Sequence, residues 1–201
     1  MEFDLLLVLE LIGSIAFAIS GATVAIQEKM DLLGICILGM TTAVGGGIIR
    51  DIVLGATPPL AFYNPVYAIT ALVTSLIVFL INRKKEVDME GWLFWLADSV
   101  GLAVFTTVGA AAGIYKESFF LIIFLGCITG VGGGVLRDIF ANRTPVIFQK
   151  NIYATASLIG AIVFALLFKY DRYAAAFIGE AVIIVLRFFA VKFNWTLPKV
   201  K

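Results

Sequence analysis

The chain has 201 residues, 61% of them hydrophobic, and a mean hydropathy of +1.03. Charged residues make up only 14%, against about 25% in soluble domains, and 15 basic residues nearly cancel 14 acidic ones, so the charge balance calls for no nucleic-acid partner. The absence of histidine excludes His-based triads, HExxH zinc sites and imidazole proton relays together.

The start, Met1-Glu2-Phe3-Asp4, is acidic where a secretory signal needs a basic n-region, so the first apolar run is expected to be retained as a helix. Seven segments are long enough to span about 30 Å of hydrocarbon at about 1.5 Å per residue. They lie at 5–26, 32–54, 65–82, 91–114, 119–141, 151–168 and 173–192. Short connections join them, and no linker sets off a soluble domain. The expectation is one all-α polytopic membrane domain over residues 1–201. Cys36 and Cys127 lie within apolar runs and read as small buried hydrophobes.

Basic residues in the connections set an orientation. Lys29, Arg83, Lys84, Lys85, Arg143, Lys150, Lys192, Lys199 and Lys201 fall on one side, and only Lys116, Lys169 and Arg172 on the other. That asymmetry puts the C-terminus in the cytoplasm and the N-terminus outside. Trp92, Trp95 and Trp195 stand where interfacial anchors belong.

The second segment contains Val44-Gly45-Gly46-Gly47-Ile48-Ile49-Arg50-Asp51, and the fifth repeats it as Val131-Gly132-Gly133-Gly134-Val135-Leu136-Arg137-Asp138. Gly13, Phe17, Gly21, Ala22 and Ile26 recur as Gly101, Phe105, Gly109, Ala110 and Ile114; Thr57-Pro58 recurs as Thr144-Pro145, and Tyr67-Ala68 as Tyr153-Ala154. Residues 5–82 thus form one repeat of three spans and 91–168 a second, with 173–192 left over. Three spans is an odd number, so the second repeat enters from the opposite face: an inverted-topology repeat.

Three adjacent glycines cost a helix interior about 1 kcal/mol each relative to alanine. Two readings are open. The triplets break the second and fifth helices and free backbone carbonyls for a permeating cation, which three consecutive glycines favour, or they serve close helix packing. Arg50 and Asp51, with Arg137 and Asp138, put a charged pair toward each end of a two-fold arrangement. Sequence neighbours do not share a helix face, so their partners are expected on other helices. Glu10 and Asp98 are repeat mates, each an intramembrane carboxylate candidate or an interfacial one. Ser14, Ser99, Thr106 and Thr107 add hydroxyls along the first and fourth segments. Glu180 and Arg187 are about 10 Å apart along the last segment and read as structural partners of another helix.

At these residues the chain resembles the prokaryotic branch of the TRIC family, the trimeric intracellular cation channels. The resemblance covers nearly all of the chain, and its specific part is the duplicated GGG-x-x-Arg-Asp string in a seven-span sequence. It implies a homotrimer in a prokaryotic cytoplasmic (inner) membrane, one pore per protomer, second and fifth helices broken at Gly45, Gly46, Gly47, Gly132, Gly133 and Gly134, and passage of potassium and sodium. Beyond lipids and transiently held monovalent cations it implies no ligand, and it implies no cofactor and no resident metal. Lys85-Glu86-Val87 matches a phosphoinositide-binding motif of animal members in letters only, because here it falls in a loop. The same half-unit is also known as a glycine-transporter domain.

The leading reading is a monovalent cation channel lined by segments one, two, four and five, with Asp51, Asp98 and Asp138 attracting cations and Arg50 and Arg137 neutralised or gating. Ser14, Thr106 and Thr107 would supply pore hydroxyls. The alternative is a secondary transporter of a small amino acid such as glycine, in which an arginine or a helix N-terminus holds the substrate carboxylate. No nucleophile–base or metal constellation of an enzyme is legible.

Overall fold

The computed structural model describes residues 5–84, 91–149 and 152–195, and among these it contains helices and no strand. In chain order these are α1 (Leu5–Gln27), α2 (Leu32–Leu54), the one-turn α3 (Leu60–Tyr63), α4 (Val66–Lys84), α5 (Trp92–Ala112), α6 (Phe119–Phe140), the one-turn α7 (Val146–Gln149), α8 (Ala154–Leu167) and α9 (Arg172–Lys192). The Lys85-Glu86-Val87 string lies outside the described residues.

Short polar connections start the helices sharply. Asp31 accepts from the Gly34 N–H at 2.8 Å, Ser118 from Leu121 at 3.3 Å and Asp171 from Ala174 at 2.6 Å. Each cap satisfies an amide that hydrocarbon would leave stranded. α2 stops at Gly55, whose φ of +74° is left-handed and returns its N–H to the Asp51 and Ile52 carbonyls.

Six of the helices are long and apolar enough to cross a membrane. The seventh apolar segment is shorter than its expected range of 151–168. α8 has 14 residues, about 21 Å, against about 30 Å of hydrocarbon. Its start is held back by the buried Tyr153, and its end by a turn over residues 168–170.

α1, α2 and α4 pack as one three-helix bundle, and α5, α6 and α8 as the other. α1 against α5 and α2 against α6 join the bundles, while α9 lies on α5 and α8. The repeat mates meet reciprocally. Phe17 and Phe105 stack with ring centroids 5.3 Å apart; a Cβ on Gly101 would lie 2.1 Å from the Phe17 ring, and one on Gly13 3.1 Å from that of Phe105. Lipid tails give helices no hydrophobic reason to associate, so this fit of small residues to rings is what holds the halves. Large side chains such as Leu33, Ile69 and Phe120 face outward, as lipid contact requires.

The glycine triplets do not interrupt their helices: α2 is helical throughout Leu32–Leu54 and α6 throughout Phe119–Phe140. A Cβ on Gly46 would lie 2.1 Å from the Thr129 carbonyl oxygen, and one on Gly133 2.2 Å from that of Thr42. The middle glycines therefore let two backbones cross in contact. Close packing, one of the two readings open in the sequence, is thus realised at the middle glycines.

Candidate functional site

The connections after α2 and α6 are each tied down by the aspartate of the charged pair. Asp51 accepts from the Leu60 N–H at 2.9 Å, and Asp138 from the Val146 N–H at 2.9 Å. These amides open the one-turn helices that follow Thr-Pro in each repeat, features absent from the sequence reading. The other carboxylate oxygen takes the neighbouring arginine. Arg50 reaches Asp51 at 2.8 Å, and Arg137 reaches Asp138 at 2.8 Å. The expectation that adjacent Arg and Asp look to other helices is thus corrected for Arg50, while Arg137 binds its neighbour and other helices as well. At the last turn of a helix a long guanidinium folds back to a carboxylate that also caps the loop.

Around this shared plan the two halves diverge. In the second, Arg137 is 1% exposed and Asp98 2%. Asp98, from α5, bonds Arg137 at 2.6 Å and Arg187 of α9 at 3.3 Å. The Tyr153 hydroxyl stands 3.5 Å from Asp98 and beneath Arg187, whose guanidinium lies 4.7 Å from the ring centroid. Arg137 lies over the Phe94 ring and also donates to Ser20, which comes across from α1. Two guanidinium groups thus face the carboxylates of Asp98 and Asp138, all within protein, which is how buried charge is tolerated.

In the first half Glu10 occupies the place of Asp98, and Tyr67 bonds its carboxylate. Among the described residues Arg50 is paired with Asp51 alone, and its side chain is 11% exposed. Instead of a second arginine there is a cavity of about 40 Å³, bounded by Glu10, Ser14, Gly47, Arg50, Asp51 and Tyr67 among others. That is room for a few waters. Gly47 opens this space, since the nearest atom to a Cβ there would be 3.9 Å away, on Arg50.

The structure therefore brings Arg50, Asp51 and Ser14 together with Glu10, and Arg137, Asp138 and Asp98 together with Arg187. It does not bring Thr106 and Thr107 to either set. The Thr106 hydroxyl pairs with Ser157 of α8 at 2.8 Å, and the Thr107 hydroxyl lies 2.8 Å from Glu180 of α9. Gly45 and Gly132 pack on Leu136 and Ile49, side chains of the partner triplet's helix, while Gly134 abuts Tyr153. Arg187 and Glu180 each find a partner on α5, as expected of them. Cys36 is buried as expected, but Cys127 is only half-buried.

Sequence reasoning passed over Tyr67, Tyr153 and Ser20 as site residues. The tyrosines carried a signal, since they recur at the repeat spacing. Ser20 carried none: its repeat position is Val108.

Comparisons with known proteins bear on this arrangement. A family model described as glycine transporter matches the chain twice, at residues 7–83 and 95–169. The UPF0126 inner membrane protein YadS of Escherichia coli strain K12 is 38% identical over 94% of this chain and 93% of its own. A structure solved to give the structural basis for conductance through TRIC cation channels is 39% identical, with a TM-score of 0.86 over 100% of this chain and 98% of the other. The TRIC trimeric intracellular cation channel orthologue from Rhodobacter sphaeroides is 32% identical, with a TM-score of 0.88 over 95% of this chain and 99% of its own.

Proposed function

The chain belongs to the TRIC family, whose half-unit is described as a glycine transporter, and we propose on that premise that it is a monovalent cation channel. It passes potassium and sodium through one pore per protomer, between the two inverted repeats, and it assembles as a homotrimer in the inner membrane. The observation that carries this reading is the pair of acid–tyrosine–arginine–aspartate constellations, one per repeat, between the apolar helices. In the first, two carboxylates, Glu10 and Asp51, stand against one arginine beside a water-sized cavity. That excess of negative charge favours a cation. The ion's partners in this half are the carboxylates and Ser14. The glycines serve by bringing α2 and α6 together along the path.

The N-terminus is outside and the C-terminus cytoplasmic by the count of basic residues. Arg143, after α6, bonds Glu28, and Gln27 at 2.9 Å; this joins two connections that the orientation puts on the cytoplasmic side.

The amino-acid transporter is the second reading, prompted by the description of the half-unit. Against it, the arginines are already engaged: Arg50 by Asp51, Arg137 by Asp98, Asp138 and Ser20. Single-channel recording of the purified protein in planar bilayers tests the choice. Unitary current steps are expected, with a mass of three protomers in mild detergent. Saturable glycine counterflow in liposomes without unitary currents would overturn the channel.

A further inference from the structure

The channel reading leaves one buried acid unused. Glu180, in the middle of α9, is 8% exposed, and its carboxyl Oε1 lies 2.8 Å from the Thr107 hydroxyl of α5. No cation among the described residues lies within ion-pair distance of it. α5 carries only Asp98 as an ionisable residue, nine positions before Thr107, and α8 carries none between Ala154 and Leu167. The other ionisable residues of α9 are Arg172, Tyr173, Arg187 and Lys192; Arg187, two turns on, is paired with Asp98.

The surroundings are tight. A Cβ on Gly160 would lie 2.3 Å from Ile183, and one on Gly179 would lie 3.2 Å from both the Gly160 carbonyl oxygen and the Thr107 methyl. Three helices thus cross in contact beside the Glu180 side chain. A carboxylate held there would lack a counter-charge and most of its hydration, a cost of several kcal/mol.

Hydrogen-bond accounting points the same way. The Thr107 hydroxyl has one hydrogen and two acceptors in reach, the Val104 carbonyl at 3.0 Å and Glu180 at 2.8 Å. An ionised Glu180 would draw that hydrogen from the Val104 carbonyl, which keeps its helical amide, and would hold its charge on this single bond. If the carboxyl carries a proton, Glu180 donates to the Thr107 oxygen, Thr107 donates to Val104, and no uncompensated charge remains beside α5. We propose that Glu180 is a proton-binding site, a neutral carboxylic acid at neutral pH that fastens α9 to α5 through Thr107. Losing the proton breaks the fastening. Because the folded protein then holds a proton that the unfolded chain releases, stability falls as pH rises.

Infrared difference spectroscopy of the wild type against Glu180→Gln, reconstituted in lipid at neutral pH, tests the protonation. The expected result is a deuterium-sensitive carbonyl band of a protonated carboxylic acid in the wild type that the variant lacks. A difference made only of carboxylate bands overturns the proposal. Thermal unfolding against pH tests the clamp: the wild type should lose stability into the alkaline range, and Glu180→Gln, a permanently neutral mimic, should lose less. Equal losses would overturn it. Should Glu180→Gln not assemble, Glu180→Met provides the same subtraction. Neither readout depends on conduction, so failure here is distinct from failure of the channel reading.

Discussion

Arg50 and Arg137 occupy the same place in a repeated string, and their surroundings differ in ways that the string does not encode. Arg137 is enclosed by residues from α1, α5 and α6, and Arg187 of α9 meets it at Asp98. Arg50 bonds its own neighbour and faces a cavity. The difference comes from outside the repeat: α9 has no counterpart in the first half, and Ser20 none in the second. A duplicated motif has thus been settled into a closed, charge-balanced half and an open, net-acidic half. Stability then rests chiefly on the closed half, and ion passage on the open one.

The largest effect should separate the two arginines by stability. Arg137→Gln leaves Asp98 and Asp138 short of a buried partner, a loss of about 3–5 kcal/mol. Arg50→Gln should lose far less, because Asp51 keeps the Leu60 amide and the cavity admits water. Denaturation of both variants in detergent checks this, and equal losses would erase the contrast.

Next come the glycines. Gly46→Ala and Gly133→Ala push a methyl into a backbone carbonyl of the other repeat, so each should cost about 1–3 kcal/mol or more by overpacking. Gly47→Ala, whose Cβ has room, should fold with a loss under about 1 kcal/mol and narrow the cavity, lowering conductance. Thermal melts beside current recordings distinguish the two classes. A Gly133→Ala protein as stable as the wild type would deny the close crossing.

The glycines also show how far the sequence was legible. The apolar runs located the long helices to within a few residues, and the repeat paired Gly13 with Gly101 and Phe17 with Phe105, which pack reciprocally. What the triplets do was not legible. A lone sequence gives a glycine's freedom to bend and its freedom to be approached as the same letter, and the close approach shows only against the Thr129 and Thr42 carbonyls. The charged string was visible, but its partners were not, because Arg187 and Ser20 reach it from α9 and α1 without any repeated pattern. Thr106 and Thr107 misled for a related reason. Their hydroxyls bond backward to the helix carbonyls of Leu102 and Val104, and outward to α8 and α9.

A smaller effect separates the aspartates. Asp51→Asn should lower cation conductance at low salt, and the loss should fade at high salt, since screening shortens the reach of a fixed charge from about 30 Å at 0.01 M to about 3 Å at 1 M. Asp138→Asn should show up in stability rather than current, because Asp138 is buried against Arg137 and the Val146 amide. A salt-independent loss of current for Asp51→Asn would remove the electrostatic role of the first half.

The most direct test is the single-channel conductance of Arg50→Gln beside the wild type in planar bilayers at low salt. With the positive charge gone from the cavity wall while Glu10 and Asp51 remain, the account predicts unitary cation currents in both proteins and larger ones in the variant. Unchanged conductance in a folded Arg50→Gln, or no unitary current in the wild type, would contradict it.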